Sequence, residues 1–141
     1  MNNIINVNNI SYEYITEEST FKAIDNLNLD VKQGEFVAII GHNGSGKSTL
    51  SKNLNAILMP TKGNILIDGN DTKDEEKLWD IRQTAGIVFQ NPDNQIVATV
   101  VEEDVAFGPE NLGIEPKLIR ERVADALESV GITELKVRQP H

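Results

Sequence analysis

Apolar and polar positions alternate with a period of two near the start of the chain, which predicts β-strands. The alternation runs through residues 10–14 and again through residues 27–31, with polar residues 16–20 between them as a loop. Residues 36–40 and 86–89 are instead apolar without interruption, a pattern typical of strands buried on both faces of a sheet. The sequence therefore predicts an antiparallel β layer that leads into an α/β core.

Helical spacing and short turns follow the second apolar run. Leucines recur every four residues within 47–58, which predicts a helix that Pro60 ends. Residues 65–67 read as a short strand before an Asp-Gly turn. Residues 74–81 are expected to form a short acidic helix, in which Trp79 is the candidate for a buried side chain.

Two further helices are predicted in the last third of the chain. Thr99 and Glu102 have the spacing of a capping box, so a helix should begin there. Pro116 suits the first position of a second helix, whose apolar residues continue at helical spacing until Gly131 offers a stop.

Composition limits the classes of function. The 141 residues suit one domain, and the absence of cysteine excludes disulfides and thiolate metal sites. The net charge of −9 disfavours a nucleic-acid partner, because the phosphate backbone would be repelled. No apolar run approaches the length of a membrane helix, and the first residues lack the basic start of a secretory signal.

Residues 41–48 read Gly-His-Asn-Gly-Ser-Gly-Lys-Ser and match the phosphate-loop pattern G-x-x-x-x-G-K-[ST]. The glycines allow the backbone to curl so that N–H groups point at phosphate oxygens, and the following helix adds its positive end. Lys47 supplies a cation for the β- and γ-phosphates. Ser48 supplies a hydroxyl for Mg²⁺, a hard cation that prefers oxygen ligands. The pattern predicts a nucleoside triphosphate site.

Gln90 follows the second apolar run. Ligand-facing residues of open α/β sheets lie at the carboxyl ends of strands, where both Gln90 and the phosphate loop would fall. Its amide oxygen could approach Mg²⁺ or orient a water molecule, or the side chain could simply be solvated. Position alone favours neither interpretation.

Three stretches together resemble a known family. Residues 41–49 and 88–95 (Val-Phe-Gln-Asn-Pro-Asp-Asn-Gln) are similar to the ATP-binding subunits of ABC transporters. Residues 99–113 narrow the resemblance to the ATPases of energy-coupling factor transporters, which import vitamins and transition-metal ions. The likeness runs from Ile10 to His141. It implies an α/β P-loop NTPase of the ABC ATPase type, with an antiparallel β layer and the start of a mixed or parallel core sheet.

The resemblance also implies roles for single residues. Tyr14 would stack on adenine, unless it is a plain strand tyrosine, and Thr49 would touch the α-phosphate. Gln90 would reach Mg²⁺ and sense the membrane partner, so Lys47 and Gln90 become the catalytic candidates, and Ser48 and Gln90 the metal ligands. The residues expected to contact ATP are Tyr14, Gly41, Asn43, Gly44, Ser45, Gly46, Lys47, Ser48 and Thr49.

The resemblance further implies a division of the chain and a set of partners. Residues 1–90 would be an incomplete nucleotide-binding core, and residues 91–141 the start of the helical subdomain that docks on a transmembrane coupling subunit. A substrate-binding membrane component and a second ATPase subunit, either a sister protein or another copy, would complete the assembly. The protein would lie peripherally on the cytoplasmic face of the cell membrane.

Several family motifs are not found in this sequence. The Leu-Ser-Gly-Gly-Gln signature, the Walker B strand that ends in Asp-Glu, and the switch histidine are all missing, as expected for the N-terminal half of an ABC ATPase. Such a half should expose an edge strand and an apolar face, and should therefore be marginally stable or self-associating.

Three functions remain open from the sequence. The chain belongs to an ATP-hydrolysing subunit that is complete only in a longer parent, or it binds Mg-ATP without hydrolysis, or it occupies the transmembrane partner through residues 91–115. A kinase or GTPase is a weaker alternative, because it leaves residues 88–113 unexplained.

Overall fold

A computed structural model describes residues 2–140. Met1 and His141, the first and last residues of the predicted segments 1–90 and 91–141, lie outside the described residues. The chain forms two compact units, which divide between Ile87 and Val88. Each unit has its own cluster of buried apolar side chains.

The first unit is built on a four-stranded antiparallel sheet. The long strands β1 (Asn3–Ile15) and β2 (Thr20–Lys32) form a hairpin. Strand β3 (Lys62–Ile67) pairs with the other edge of β1, and the short β4 (Asn70–Asp71) follows β3 through a turn. The order in the sheet is β2-β1-β3-β4. The predicted antiparallel layer is confirmed.

One face of this sheet is covered by helix α1 (Lys47–Leu54). Leu50 of α1 packs in the same core as Ile10 and Ile65, which are both completely buried. Helix α1 ends earlier than the predicted range of 47–58. Ala56 takes a left-handed φ of 52° and the amide of Ile57 turns back to the Lys52 carbonyl, which closes the helix.

The acidic segment after β4 forms a 3₁₀ turn (Glu75–Lys77) followed by helix α2 (Leu78–Thr84). The expectation that Trp79 is buried is wrong, because its side chain is 59% exposed while Ile81 is completely buried. Side chains two positions apart on a helix point in nearly opposite directions. A helix of two turns that buries Ile81 therefore turns Trp79 outward.

The two uninterrupted apolar runs do not form the predicted buried strands. Residues 36–40 and 86–89 have no regular structure, and Phe36 and Ile40 are 95% and 94% exposed. A central parallel strand needs hydrogen-bonding neighbours, and within residues 2–140 the sheet order includes neither run. Both apolar runs therefore contribute exposed apolar surface.

The second unit consists mainly of two helices, α3 (Val101–Asn111) and α4 (Pro116–Ser129). Helix α4 begins at Pro116 as predicted, and Gly131 follows it with a left-handed φ of 71°. Ile119, Val123 and Leu127 are its buried residues and form the core of this unit. Short 3₁₀ turns at Pro92–Gln95 and Thr133–Leu135 precede α3 and follow α4.

The capping box predicted from Thr99 and Glu102 is wrong. Helix α3 starts at Val101 without a side-chain cap. The amides of Val101 and Glu102 donate instead to the carbonyls of Arg138 and Lys136, at 3.0 and 2.9 Å. These backbone amides at the start of α3 are thus satisfied by a distant segment of the chain and not by the side chain of Thr99. Across residues 2–140, no helix is both long enough and apolar enough to span a bilayer.

Candidate functional site

The phosphate-loop sequence forms an exposed curl in front of α1. Gly44 and Gly46 take left-handed φ angles of 83° and 89°, which side chains other than glycine rarely adopt. The amide of Ser45 closes the curl on the His42 carbonyl at 3.2 Å. A Cβ at Gly46 would overlap the Ala23 carbonyl oxygen, so the end of the loop lies directly against β2. The first helical residue after this contact is Lys47.

The side chain of Lys47 folds back over the loop. Its ammonium group donates to the carbonyl oxygens of Gly41 and His42, each at 2.7 Å. The ion pairs of residues 2–140 are Lys22–Asp25 and Lys77–Asp80, so no carboxylate neutralises Lys47. The loop therefore carries an unbalanced positive charge beside the positive end of α1.

Two hydroxyl side chains follow Lys47 in the first turn of α1. Ser48 is exposed, whereas Thr49 is buried with 7% of its surface accessible. The Thr49 hydroxyl oxygen lies 3.1 Å from the phenol oxygen of Tyr14 on β1. The sheet thus brings Tyr14, which is 35 residues away in sequence, to the helix that begins at the phosphate loop.

The ring of Tyr14 is partly accessible and held by a second ring. It remains 39% exposed. Tyr12 meets it edge-on, with ring centroids 4.9 Å apart and planes at 75°. A partly exposed aromatic ring can accept a planar base by stacking.

Asn53 supports the first turn of α1 and is not among the site residues that the sequence predicts. It is completely buried, and its Nδ2 donates to the Thr49 carbonyl at 2.8 Å. The available signal was a polar residue on the apolar face of the predicted helix, next to Leu50 and Leu54. Such a residue needs a hydrogen-bond partner nearby.

Gln90, the other catalytic candidate, belongs to the second unit. It lies at an exposed bend that precedes the 3₁₀ turn. The backbone amide of Phe89, the residue before Gln90, donates to the side-chain oxygen of Gln95 at 2.8 Å. The approach of Gln90 to Mg²⁺ stays a prediction.

The first unit therefore combines groups of the kinds that can hold a polyphosphate. It offers a curled backbone, the N-terminus of an eight-residue helix, an ammonium group that no carboxylate of residues 2–140 neutralises, and an exposed hydroxyl. The residues concerned are Tyr14, Gly41, Asn43, Gly44, Ser45, Gly46, Lys47, Ser48 and Thr49, all in the first unit.

Comparison with known proteins agrees with this geometry. The family model described as "ABC transporter" matches residues 24–141. The energy-coupling factor transporter ATP-binding protein EcfA1 of Clostridioides difficile (strain 630) is 79% identical over the whole chain, which covers 51% of that protein. The corresponding protein of Clostridium novyi (strain NT) is 58% identical over 99% of the chain and 50% of its own length.

Solved structures show the same fold. The structure of cbiO1 from Clostridium perfringens, described as part of the ABC transporter complex cbiONQ, has a TM-score of 0.83 and 39% identity. The structural match covers 99% of this chain and 55% of the cbiO1 chain. The dimeric ATP-binding cassette MJ0796, bound to ADP and Pi, has a TM-score of 0.80 and 29% identity, with 96% of this chain and 61% of that one covered.

The chain spans about half the length of the curated relatives that it matches. The predicted fold class is confirmed by these neighbours, and so is the predicted resemblance to the ATP-binding subunits of energy-coupling factor transporters. Because the family model covers most of its residues, the chain belongs to the ABC transporter family.

Proposed function

We propose that the chain binds Mg-ATP at residues 41–49 and corresponds to the N-terminal half of an ATP-binding subunit of an energy-coupling factor importer. The observation that carries this proposal is the conformation of the phosphate loop. Two left-handed glycines curl it, and the Lys47 ammonium group, which no carboxylate in the described residues neutralises, donates to two of its carbonyls. The 79% identity to an EcfA1 protein supports the choice of transporter class.

Lys47 would change partners when a triphosphate binds. Its two bonds to neutral carbonyls would be replaced by bonds to phosphate oxygens, and charge-assisted hydrogen bonds are roughly twice as strong as neutral ones. The backbone amides of the curl and of the first turn of α1 would receive the remaining phosphate oxygens. The exposed ring of Tyr14 would stack on adenine.

The exposed hydroxyl of Ser48, next to Lys47, fits Mg²⁺ because that ion prefers oxygen ligands and keeps several waters. Gln90 would add its amide oxygen. The ion, when bound, neutralises part of the phosphate charge.

Hydrolysis would need more residues than these. Phosphoryl transfer requires a positioned water and a base, and the chain has neither the Walker B glutamate nor the signature motif in its sequence. The full-length parent would hydrolyse ATP together with a second ATPase subunit. It would act with a transmembrane coupling subunit and a substrate-binding membrane component, on the cytoplasmic face of the membrane, to import a vitamin or a transition-metal ion.

A phosphate-release assay tests whether binding and hydrolysis are separate in this chain. The wild-type chain and the Lys47→Ala variant are incubated with Mg-ATP, and free phosphate is measured over many possible turnovers. We expect both proteins to remain at the rate of the blank. Sustained turnover by the wild-type chain that Lys47→Ala abolishes would show that these residues suffice for hydrolysis.

A second candidate function is docking on the membrane partner through residues 91–115. The observation in its favour is that Phe107 on α3 is 48% exposed and Leu112, directly after α3, is 36% exposed. If docking is the function, the chain should co-purify in detergent with the transmembrane subunit of its own transporter. A charged substitution, Phe107→Glu, should weaken that association, and equal recovery of both proteins would contradict it.

A further inference from the structure

The hydrogen bond between Tyr14 and Thr49 joins two parts of the proposed ATP site. The two hydroxyl oxygens are 3.1 Å apart, and either can be the donor. Thr49 is nearly buried on the first turn of α1, while Tyr14 keeps an accessible ring on β1. The contact therefore links the surface available to a base with the helix turn available to phosphate.

The direction of this bond decides what Thr49 can do. Each hydroxyl has one proton and can also accept. If Thr49 donates to Tyr14, its only proton is used. If Tyr14 donates, the Thr49 proton is free for another acceptor, and within residues 2–140 the Thr49 hydroxyl has no other partner. A phosphate oxygen at the loop would supply that acceptor.

We propose that the Tyr14 hydroxyl donates to Thr49 and thereby directs the Thr49 proton to the bound phosphate. The result is a chain of two hydrogen bonds, from Tyr14 to Thr49 and from Thr49 to a phosphate oxygen. Consecutive hydrogen bonds polarise and strengthen one another. Tyr14 thus acts on the phosphate through its hydroxyl, besides offering its ring to the base. The inference rests on the proposed function, because it requires phosphate at the loop.

Tyr12 provides a matched control. It lies two residues before Tyr14 on the same strand, and its ring supports Tyr14 edge-on. In the described part of the chain its phenol group makes no hydrogen bond, so Tyr12→Phe removes the same atom without touching Thr49. A loss that appears in Tyr14→Phe but not in Tyr12→Phe comes from the hydroxyl pair.

Inorganic tripolyphosphate separates the two roles of Tyr14 because it has no base. Binding of Mg-tripolyphosphate and of Mg-ATP is measured by calorimetry for Tyr14→Phe, Thr49→Val and the double variant. Thr49→Val removes the bond to phosphate and should weaken tripolyphosphate binding about twofold to tenfold, the range for one hydrogen bond. Tyr14→Phe leaves that bond without its polarising donor and should weaken binding by a smaller factor. The double variant should lose no more than Thr49→Val, because without the Thr49 hydroxyl the Tyr14 hydroxyl has no connection to the phosphate. Thr49→Ser, which keeps the hydroxyl, should bind like the wild type.

Two results would overturn the inference while leaving the site intact. One is wild-type affinity of Tyr14→Phe for tripolyphosphate, which would leave Tyr14 with its ring alone. The other is additive losses in the double variant, which would make the two hydroxyls independent. If the wild-type chain binds neither ligand, or if Lys47→Ala binds both equally well, the proposed ATP site itself fails. Circular dichroism of each variant checks that the fold is kept.

Discussion

Gly46 and Gly44 form a natural pair for testing why the phosphate loop needs its glycines. Both residues have similar left-handed φ angles, 89° and 83°. Their surroundings differ, because a Cβ at Gly46 would overlap the Ala23 carbonyl oxygen, whereas a Cβ at Gly44 would meet nothing within 4 Å. Substituting each by alanine therefore separates backbone strain from steric overlap.

The expected costs follow from this difference. A left-handed φ costs an alanine about 1–2 kcal/mol, and both variants have that cost. The overlap at Gly46 forces the loop and β2 apart, and overpacking of this kind adds about 1–3 kcal/mol. Alanine also lowers the entropy of the unfolded chain, but equally at both positions. After about 0.4–1 kcal/mol is subtracted for that entropy, Gly44→Ala should lower the free energy of unfolding by up to about 1.5 kcal/mol and Gly46→Ala by about 1–4.5 kcal/mol.

Urea unfolding followed by far-ultraviolet circular dichroism measures both values without nucleotide. The midpoint should fall further for Gly46→Ala, with an unchanged slope if the same surface is exposed on unfolding. Equal losses in the two variants would refute the reasoning, because they would show that the contact with Ala23 has no energetic consequence. A larger loss for Gly44→Ala would contradict it more strongly.

Two further predictions concern the cores and the start of α3. Ile65→Ala, at a completely buried position, should lower the free energy of unfolding by about 2–5 kcal/mol. Ile15→Ala, at a side chain that is 76% exposed, should lower it by less than about 0.5 kcal/mol. Similar losses for the two variants in urea unfolding would contradict the described core. The Asp104 carboxylate accepts hydrogen bonds from the amides of Val97 and Ala98 at 2.7 and 3.1 Å. Asp104→Ala should therefore lower the free energy of unfolding by about 1.5–3 kcal/mol and speed hydrogen exchange at both amides. Glu103→Ala, which removes the exposed neighbouring carboxylate, should change neither quantity. Unchanged exchange at Val97 and Ala98 would show that the carboxylate does not hold this segment.

The sequence predicts those parts of the molecule that local pattern determines. Period-two alternation places the hairpin, and helical spacing with Pro116 and Gly131 gives the bounds of α4. The phosphate-loop motif predicts a turn that needs left-handed glycines, which Gly44 and Gly46 provide.

Parts that depend on distant contacts could not be predicted in this way. Residues 36–40 have the composition of a buried strand, but a strand forms only beside a partner. The start of α3 is satisfied by carbonyls of Lys136 and Arg138, which no spacing rule near Thr99 reveals. The contact of Tyr14 with Thr49 likewise arises from the packing of α1 on the sheet.

The central claim is that the phosphate loop of this chain binds a nucleoside triphosphate, and calorimetric titration with Mg-ATP tests it most directly. The matched variants are Lys47→Ala, which removes the ammonium group over the loop, and Lys52→Ala, which removes a lysine from the last turn of the same helix. We expect micromolar binding by the wild-type chain and by Lys52→Ala, and a loss of about tenfold to hundredfold in Lys47→Ala. Absence of binding by well-folded wild-type chain, or equal affinity of the two variants, would contradict the account.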